Sequence, residues 1–173
     1  MIVIDDYLNQ NQFLAMRLAM DAASFPWEKS MVLKDPPAHI KPDDNQQSIH
    51  GFYLQNSRRE YASKQFGILK PLLDKLNPLD LIKVKVNMTT QKDRHIEYGL
   101  HVDTQRLGAT TAIFYLNTNN GYTLFEGGEK VLSVANRLVM FDAATPHTGA
   151  SCTDTPFRLV LNLNMFMSGN APE

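Results

Sequence analysis

The sequence has very little cysteine. Cys152 is the single one among 173 residues, so no intrachain disulfide can form, and this favours a reducing compartment. An excess of one charge is also missing, because 17 Lys and Arg residues are balanced by 18 Asp and Glu residues. Without a basic block the chain has no electrostatic footprint for nucleic acid, and we expect no nucleic-acid partner.

Long apolar segments and a basic leader are absent as well. The N-terminal residues MIVIDDYLNQ lack the charged and apolar regions of a signal peptide, and no apolar run elsewhere reaches membrane-spanning length. We therefore expect no membrane partner and a cytoplasmic location. What the chain does have is an ordinary globular composition, 43% hydrophobic and 20% charged, over a length that suits a single domain, residues 1–173.

Residues 1–80 are predicted to form helical support and a lid for the rest of the domain. Asn9 can cap a helix whose apolar residues recur at spacings of three and four, namely Phe13, Met16, Met20 and Ala23. Residues 28–47 carry three prolines and three aspartates without periodicity, which predicts a long loop. Loops of this length are often lids or binding loops. A short strand at 50–54 and helical segments within 57–76 are predicted to follow.

The periodicity changes from 3.6 to 2 near Leu81, and residues 81–168 are predicted to be the β core. LIKVKVNM alternates cleanly, IEYGLHVD alternates in part, and ATTAIFYLN is rich in β-branched and aromatic residues. YTLFEGGEKVLSV is typical of a hairpin with Gly127-Gly128 at its turn, and NRLVMFDA and FRLVLNLNMF follow. Seven or eight short strands predict an α+β, mainly β fold: a double-stranded β-helix (jelly roll) with N-terminal flanking helices.

Two side chains that can bind metal occur two residues apart in GLHVDT. If this segment is a strand, His101 and Asp103 point to the same face. His147 lies 46 positions after His101, directly after the apolar strand RLVMF and between Pro146 and Gly149. In a jelly roll that separation can return the chain to the side of the first strand, so the three residues are predicted to form one metal site.

Arg158 follows His147 by eleven positions, inside the apolar run FRLVLNLNMF. Burying an unpaired charge is costly, so an arginine in this position is expected to have an anionic partner. Asn162 and Asn164 of the same run also need polar partners, which indicates a polar cavity beside this strand.

Two imidazoles and one carboxylate form a facial triad, which leaves three positions open on an octahedral ion and is typical of non-haem Fe(II) oxygenases. A 2-oxo acid fills two of these positions through its carboxylate and keto oxygens, and dioxygen fills the third. The planar guanidinium of Arg158 suits the far carboxylate of 2-oxoglutarate.

At these residues the chain resembles the 2-oxoglutarate- and Fe(II)-dependent oxygenase superfamily, specifically its prolyl 4-hydroxylase-like branch. The resemblance rests on YGLHVD, on IFYLNTNNGYTLF, on PHTG followed by FRLVLNLN, and loosely on the opening VIDDYLNQNQF. CTDTPFR and NNGYTLFEGG are also similar to small oxygenases of marine phages, which would place the protein in a host cytoplasm.

The resemblance implies roles for individual residues. His101, Asp103 and His147 would bind Fe(II), and Arg158 would bind the C5 carboxylate of 2-oxoglutarate. Three further cosubstrate-binding positions are implied, at Tyr115, Asn87 and Asn162. Asn87 and Asn162 depart from the family pattern, in which a tyrosine and a threonine often stand at these positions. Dioxygen would be the second cosubstrate, and ascorbate would support activity.

The expected reaction is hydroxylation of an unactivated C–H bond. Repair-type relatives that demethylate nucleic acid carry a second arginine shortly after the first, and LVLNLNMF has none. A prolyl residue of a peptide or protein, or a small molecule such as an amino acid, therefore remains as the substrate. Two alternatives stay open: a cupin-like metalloenzyme that does not use 2-oxoglutarate, and a non-catalytic β-sandwich binding module in which His101 and Asp103 only bond to each other.

Overall fold

A computed structural model describes residues 1–168 of the chain. The N-terminal half contains five strands and two helices, with a short 3-10 turn at Phe66–Leu69 between them: β1 (Ile2–Ile4), α1 (Gln10–Asp21), β2 (Glu28–Met31), β3 (Gln46–Asn56), β4 (Arg59–Ala62), α2 (Lys70–Leu76) and β5 (Pro78–Thr90). The second half is all β: β6 (Thr110–Tyr115), β7 (Tyr122–Phe125), β8 (Lys130–Leu132), β9 (Leu138–Asp142), β10 (His147–Gly149) and β11 (Phe157–Met167).

The strands form a large and a small antiparallel sheet. The large sheet has the order β1-β9-β6-β11-β5-β3-β2, with β4 paired to β3, and the small sheet has the order β10-β7-β8. An apolar cluster joins the two sheets, because its residues come from strands of both: Ile113, Tyr115, Phe125, Val131, Val139, Phe141 and Val160. The predicted jelly roll is confirmed.

The two helices cover the outer face of the large sheet. Phe13, Met16 and Met20 of α1 are buried, as predicted, and the Asn9 side chain accepts a hydrogen bond from the Gln12 amide at the start of the helix. These side chains pack with Leu72 of α2 and with residues of β5, β6 and β11 in the largest core cluster. The helix ends at Asp21, so Ala23 is not part of its buried face.

Alternation along β11 separates its two faces. Leu159, Leu161 and Leu163 are buried in the core beneath the helices, whereas Arg158 and Asn162 point to the other face, between the sheets. The polar residues that looked misplaced in an apolar strand therefore share one face of it.

Three local predictions were wrong. Residues 28–47 are not one loop, because Glu28–Met31 forms β2 and Gln46–Gln47 begins β3. Residues 57–76 are not helical throughout, because Arg59–Ala62 pairs with β3 as β4. The segment that carries His101 is not a strand, because it makes isolated bridges at Glu97 and His101 only. In the first two cases strand pairing overrode the local pattern, and in the third the segment lacks the pairing that its local pattern predicted.

Residues 32–45 form a folded loop rather than an unpacked one. Ile40 is 5% exposed and packs with Ile96 and Tyr98, and the Asn45 side chain exchanges hydrogen bonds with the backbone of Leu33 at 2.8 Å in both directions. Within the described residues, no helix is both long and apolar enough to cross a bilayer.

Candidate active site

The backbones of His101 and His147 are held together by a two-residue bridge. Each backbone N–H donates to the carbonyl of the other residue at 2.9 Å, which places the two imidazole ring centroids 4.8 Å apart. The ring of His147 is fixed further by Phe141, whose ring packs edge-on at 4.7 Å. Two residues that lie far apart in sequence therefore present their rings to one spot, with His147 buried and His101 half-exposed.

Hydrogen bonds orient both imidazoles with Nε2 toward the site. Nδ1 of His147 lies 3.0 Å from the carbonyl oxygen of Thr145, and Nδ1 of His101 lies 3.4 Å from that of Gly99. A carbonyl can only accept, so these contacts place the proton on Nδ1 and leave the Nε2 lone pair free for a metal. Burial lowers the pKa of His147, which favours the neutral, ligating form.

Three donors hold the carboxylate of Asp103. Its Oδ2 accepts hydrogen bonds from the Thr111 hydroxyl at 3.0 Å and from the Asn162 and Asn164 amides at 3.1 Å each. Burial raises the pKa of Asp103, but the charge of His147 in its protonated form, the two asparagine amides and the charge of Lys83 together outweigh burial, so the pKa lies below its usual value. The side chain is therefore an oriented carboxylate that stays charged at neutral pH.

The three side chains form a compact set of metal-ligating atoms. One ligand atom from each of His101, Asp103 and His147 lies within 4.8 Å of the other two. Nε2 of His101 is 3.8 Å and Nε2 of His147 is 3.6 Å from the nearer Asp103 oxygen. These separations exceed hydrogen-bond distance. The set suits a divalent transition metal, because imidazole nitrogen and carboxylate oxygen supply three ligands on one side and leave the other side open.

A cavity of about 190 Å³ extends from this cluster into the space between the sheets. The cavity is lined by His101, Asp103 and His147 and by Arg158 of β11. Residues of β5 and of the loop after β2 complete the lining. The residues from β5 are Lys83, Lys85, Asn87 and Thr89, and those from the loop are Val32 and Leu33. The loop that the sequence predicts to be a lid thus contributes one wall of the cavity.

Arg158 lies in this cavity, 6% exposed. Nε donates to the Ser133 hydroxyl at 2.8 Å, and Nη2 donates to the Tyr122 carbonyl and the Thr123 hydroxyl at 3.3 and 3.4 Å. All of these acceptors are neutral, and no carboxylate within residues 1–168 forms an ion pair with the guanidinium. Burial lowers the pKa of Arg158. The anionic partner expected from the sequence is therefore not supplied by the described part of the chain.

Glycine at two positions makes room for this side chain. A Cβ on Gly121 would lie 2.6 Å from Cδ of Arg158 and 3.0 Å from the Ala150 carbonyl oxygen, and a Cβ on Gly149 would lie 3.4 Å from Nη1. Neither glycine has a positive φ, so their role here is space and not backbone conformation. Sequence reasoning did not identify them, since a glycine beside a distant arginine leaves no local pattern.

Replacing Gly121 with alanine is expected to displace Arg158 and to weaken binding of an anion in the cavity about ten- to hundredfold, because a charge-assisted hydrogen bond contributes on the order of 1.5–3 kcal/mol. The measurement is the dissociation constant of 2-oxoglutarate by anaerobic calorimetry. Gly67→Ala is the matched control, because a Cβ there meets nothing within 4 Å. Equal affinities of the two variants would show that the position of Arg158 does not matter.

The remaining residues predicted for cosubstrate binding take different positions. Asn87 lines the cavity. Asn162 also lines it, but its amide donates to Asp103, which makes it a support of the metal ligand. Tyr115 is fully buried behind the cavity, where its hydroxyl donates to Thr123 at 2.7 Å and its ring lies 5.7 Å below the Arg158 guanidinium.

Several residues of the site were missed by sequence reasoning. Thr123 and Ser133 hydrogen-bond Arg158, and Lys83 and Lys85 face the cavity. The lysines did leave a signal, the alternation LIKVKVNM, but alternation alone does not show whether the polar face meets solvent or a cavity.

No protein-family model and no curated protein matches the sequence, but solved structures share its fold. The carbocyclase SnoK of nogalamycin biosynthesis, a non-haem α-ketoglutarate-dependent enzyme, is similar with a TM-score of 0.63 and 14% identity, over 95% of this chain and 79% of that one. A Trichoplax adhaerens prolyl hydroxylase, in complex with a peptide fragment of a hypoxia inducible factor oxygen degradation domain, is similar with a TM-score of 0.60 and 16% identity, over 95% and 82% of the two chains. A Pseudomonas putida prolyl-4-hydroxylase is similar with a TM-score of 0.56 and 16% identity, over 96% of this chain and 92% of that one. At these identities the likeness establishes the shared double-stranded β-helix fold.

Proposed function

We propose that this protein is a non-haem Fe(II)- and 2-oxoglutarate-dependent dioxygenase that hydroxylates an unactivated C–H bond. The observation that carries the proposal is a single cavity that is lined by the His-Asp-His cluster and by Arg158 of β11, a buried arginine whose hydrogen-bond partners are all neutral. A metal and a dianionic cosubstrate would satisfy both ends of the cavity at once.

The three ligand residues fit iron. His101 and His147 offer Nε2 lone pairs fixed by hydrogen bonds at Nδ1, and Asp103 offers a charged oxygen. Iron in such a site, when bound, supplies the dioxygen chemistry that amino-acid side chains lack. The part of the protein is to hold this geometry and to keep the three open positions accessible from the cavity.

Arg158 would bind the C5 carboxylate of 2-oxoglutarate. The guanidinium is anchored through Nε and Nη2, so it is oriented before the cosubstrate arrives, and no hydrogen bond to the described residues uses Nη1. A pre-oriented fork loses little entropy on binding a carboxylate. Asn87 lines the same cavity and lies opposite Val160, between the Arg158 and Asn162 positions of β11, so its amide can donate to the same cosubstrate.

In the overall reaction, 2-oxoglutarate supplies two electrons and releases CO₂ as it becomes succinate. One oxygen atom of O₂ enters succinate, and the other enters the substrate as a hydroxyl group. Two of the proteins with the same fold are prolyl hydroxylases, which supports a prolyl residue or a related small amino acid as the substrate. Ascorbate would help to keep the iron reduced.

The two alternatives are less well supported by the geometry. In a cupin-like metalloenzyme without 2-oxoglutarate, Arg158 would have no anionic partner, and its burial would destabilise the folded protein. A binding module requires His101 and Asp103 to bond to each other, but their nearest atoms are 3.8 Å apart.

The test is anaerobic addition of Fe(II) and 2-oxoglutarate while the visible spectrum is recorded. We expect a weak charge-transfer band that needs both additions, because it arises when the 2-oxo acid chelates iron. Zn(II) in place of Fe(II) is the control, because a filled d shell gives no such band. A spectrum that does not respond to 2-oxoglutarate, in protein shown to hold iron, would refute the proposal.

A further inference from the structure

Two lysines project into the cavity from β5. Along this strand Ile82, Val84 and Val86 are buried in apolar clusters, and Lys83 and Lys85 point to the opposite face and line the cavity. Because strand side chains alternate, both ammonium groups lie on the same side as the metal ligands. They are half-buried rather than free in solvent.

The pairing of β5 with β11 places the lysines away from Arg158. Lys85 lies opposite Asn162 and Lys83 lies opposite Asn164, and these two asparagines hold the metal ligand Asp103. Arg158 is four positions earlier on β11, which is about 13 Å along a strand. The lysines therefore border the metal end of the cavity, and the arginine borders the other end.

No carboxylate within the described residues neutralises the lysines through an ion pair. Oδ2 of Asp103 already accepts hydrogen bonds from the Thr111 hydroxyl and from the Asn162 and Asn164 amides. Burial lowers the pKa of Lys85, and Lys83 lowers it further, whereas Asp103 opposes both. Two neighbouring, partly desolvated ammonium groups destabilise the empty protein, and an anion placed between them would relieve this cost.

The charges of the loaded site leave the lysines free for a further anion. Two positive charges of Fe(II) are offset by the two carboxylates of 2-oxoglutarate, and Asp103 offsets the charge of one more cation. The cavity has three basic side chains, those of Arg158, Lys83 and Lys85. Two of their three positive charges therefore remain uncompensated. A neutral peptide segment would not compensate them.

We propose that the substrate is a small anionic molecule whose carboxylate or phosphate group is bound by Lys83 and Lys85 beside the metal centre. This inference rests on the proposed function and narrows its substrate class to free acids or phosphate esters, in preference to an internal prolyl residue of a neutral peptide. The C–H bond that reacts would lie a few atoms from the anionic group, on the side facing His101 and Asp103.

The first test compares anionic compounds with neutral compounds of matching structure. The measurement is succinate formation above the level without substrate. Free and N-acetylated amino acids and simple organic acids are each compared with their primary amides, and phosphate monoesters with their parent alcohols. We expect at least one anion to stimulate succinate formation tenfold or more over its neutral partner. Whether that anion is a carboxylate or a phosphate ester identifies the group that the lysines bind. Equal stimulation by a neutral partner, or stimulation by no anion of the panel, would overturn the inference.

The second test uses Lys85→Met and Lys83→Met, which keep most of the apolar stem and remove the charge. Loss of one charge-assisted hydrogen bond is expected to raise the KM of the stimulating anion about ten- to hundredfold. Lys64→Met, at an exposed position outside the cavity, should leave that KM unchanged. Lys85→Gln serves as a second variant if Lys85→Met does not fold.

The 2-oxoglutarate dissociation constant separates the possible roles of the lysines. It should change far less in both lysine variants than in an Arg158 variant, because the C5 carboxylate would be bound by Arg158, about 13 Å away along the strand, and the other carboxylate would be bound by the metal. A rise as large as that of an Arg158 variant would show that the lysines bind the cosubstrate, and the inference would be wrong. Failure of the proposed function is seen separately, as a spectrum of the parent protein that does not respond to 2-oxoglutarate.

Discussion

Replacing Asp103 with asparagine is expected to abolish Fe(II) binding at micromolar metal and, with it, all 2-oxoglutarate turnover. The substitution removes the one negatively charged ligand of the cluster. A neutral amide oxygen is a much weaker ligand, and it brings an N–H₂ group into a site that already holds three donors. Metal content by mass spectrometry and succinate formation are the two measurements.

Asparagine is preferable to alanine at this position. Alanine would leave the Thr111 hydroxyl and the Asn162 and Asn164 amides without their acceptor, and each buried unpaired donor costs on the order of 1–3 kcal/mol. The asparagine Oδ1 can still accept, so the fold should survive, as checked by the melting temperature. Asp35→Asn, an exposed acid of the loop after β2, is the control. Full turnover with iron bound in Asp103→Asn would disprove the assignment of the ligands.

Arg158→Ala should raise the dissociation constant of 2-oxoglutarate by roughly two to four decades and leave the metal cluster intact. Removing one partner of a buried charged pair costs on the order of 3–5 kcal/mol. The proposed iron ligands lie on other segments and do not contact the guanidinium, so iron affinity should change far less. Arg158→Lys should recover part of the loss, because the charge remains but the planar fork does not.

The two substitutions would have different effects if Arg158 only stabilised the fold and did not bind 2-oxoglutarate. If Arg158 served only to connect Ser133, Tyr122 and Thr123, both variants would lose thermal stability, and the folded fraction would bind 2-oxoglutarate normally. Calorimetric titration beside thermal unfolding distinguishes the two cases. Arg58→Ala, in the exposed turn between β3 and β4, controls for loss of a positive charge. An unchanged dissociation constant in well-folded Arg158→Ala would end the 2-oxoglutarate hypothesis.

The structure brings His101 and Asp103 close together, as predicted, but not for the reason that the prediction gave. In a strand, residues two apart point to the same face. In the structure this segment is irregular, and His101 makes a single bridge to His147. What aligns Asp103 is a set of donors from β6 and β11, two of which, Asn162 and Asn164, lie 59 and 61 positions away in sequence.

Prediction of the loop at 28–47 failed for a related reason. Its proline and aspartate content gave no sign of β2, because EKSM has no alternation of its own and is a strand only through pairing with β3. Likewise, nothing local indicated that Ile40 would pack with Ile96 and Tyr98. Edge strands and packed loops depend on a surface that already exists, and a window of sequence does not contain that surface.

The sequence by itself determined the class of the fold and the residue types from which the candidate site is built. Strand periodicity in residues 81–168 required a layered β core, and the polar residues His101, Asp103, His147 and Arg158 supplied ligand and cation types that a core does not need. Only the tertiary structure decided the positions of these groups relative to one another. It brought the two histidines together through paired backbones, held the carboxylate with three donors, and turned the polar face of β5 into a cavity wall. The physical reason is that residue type and period are local properties, whereas burial and the distance between side chains depend on which strands pair.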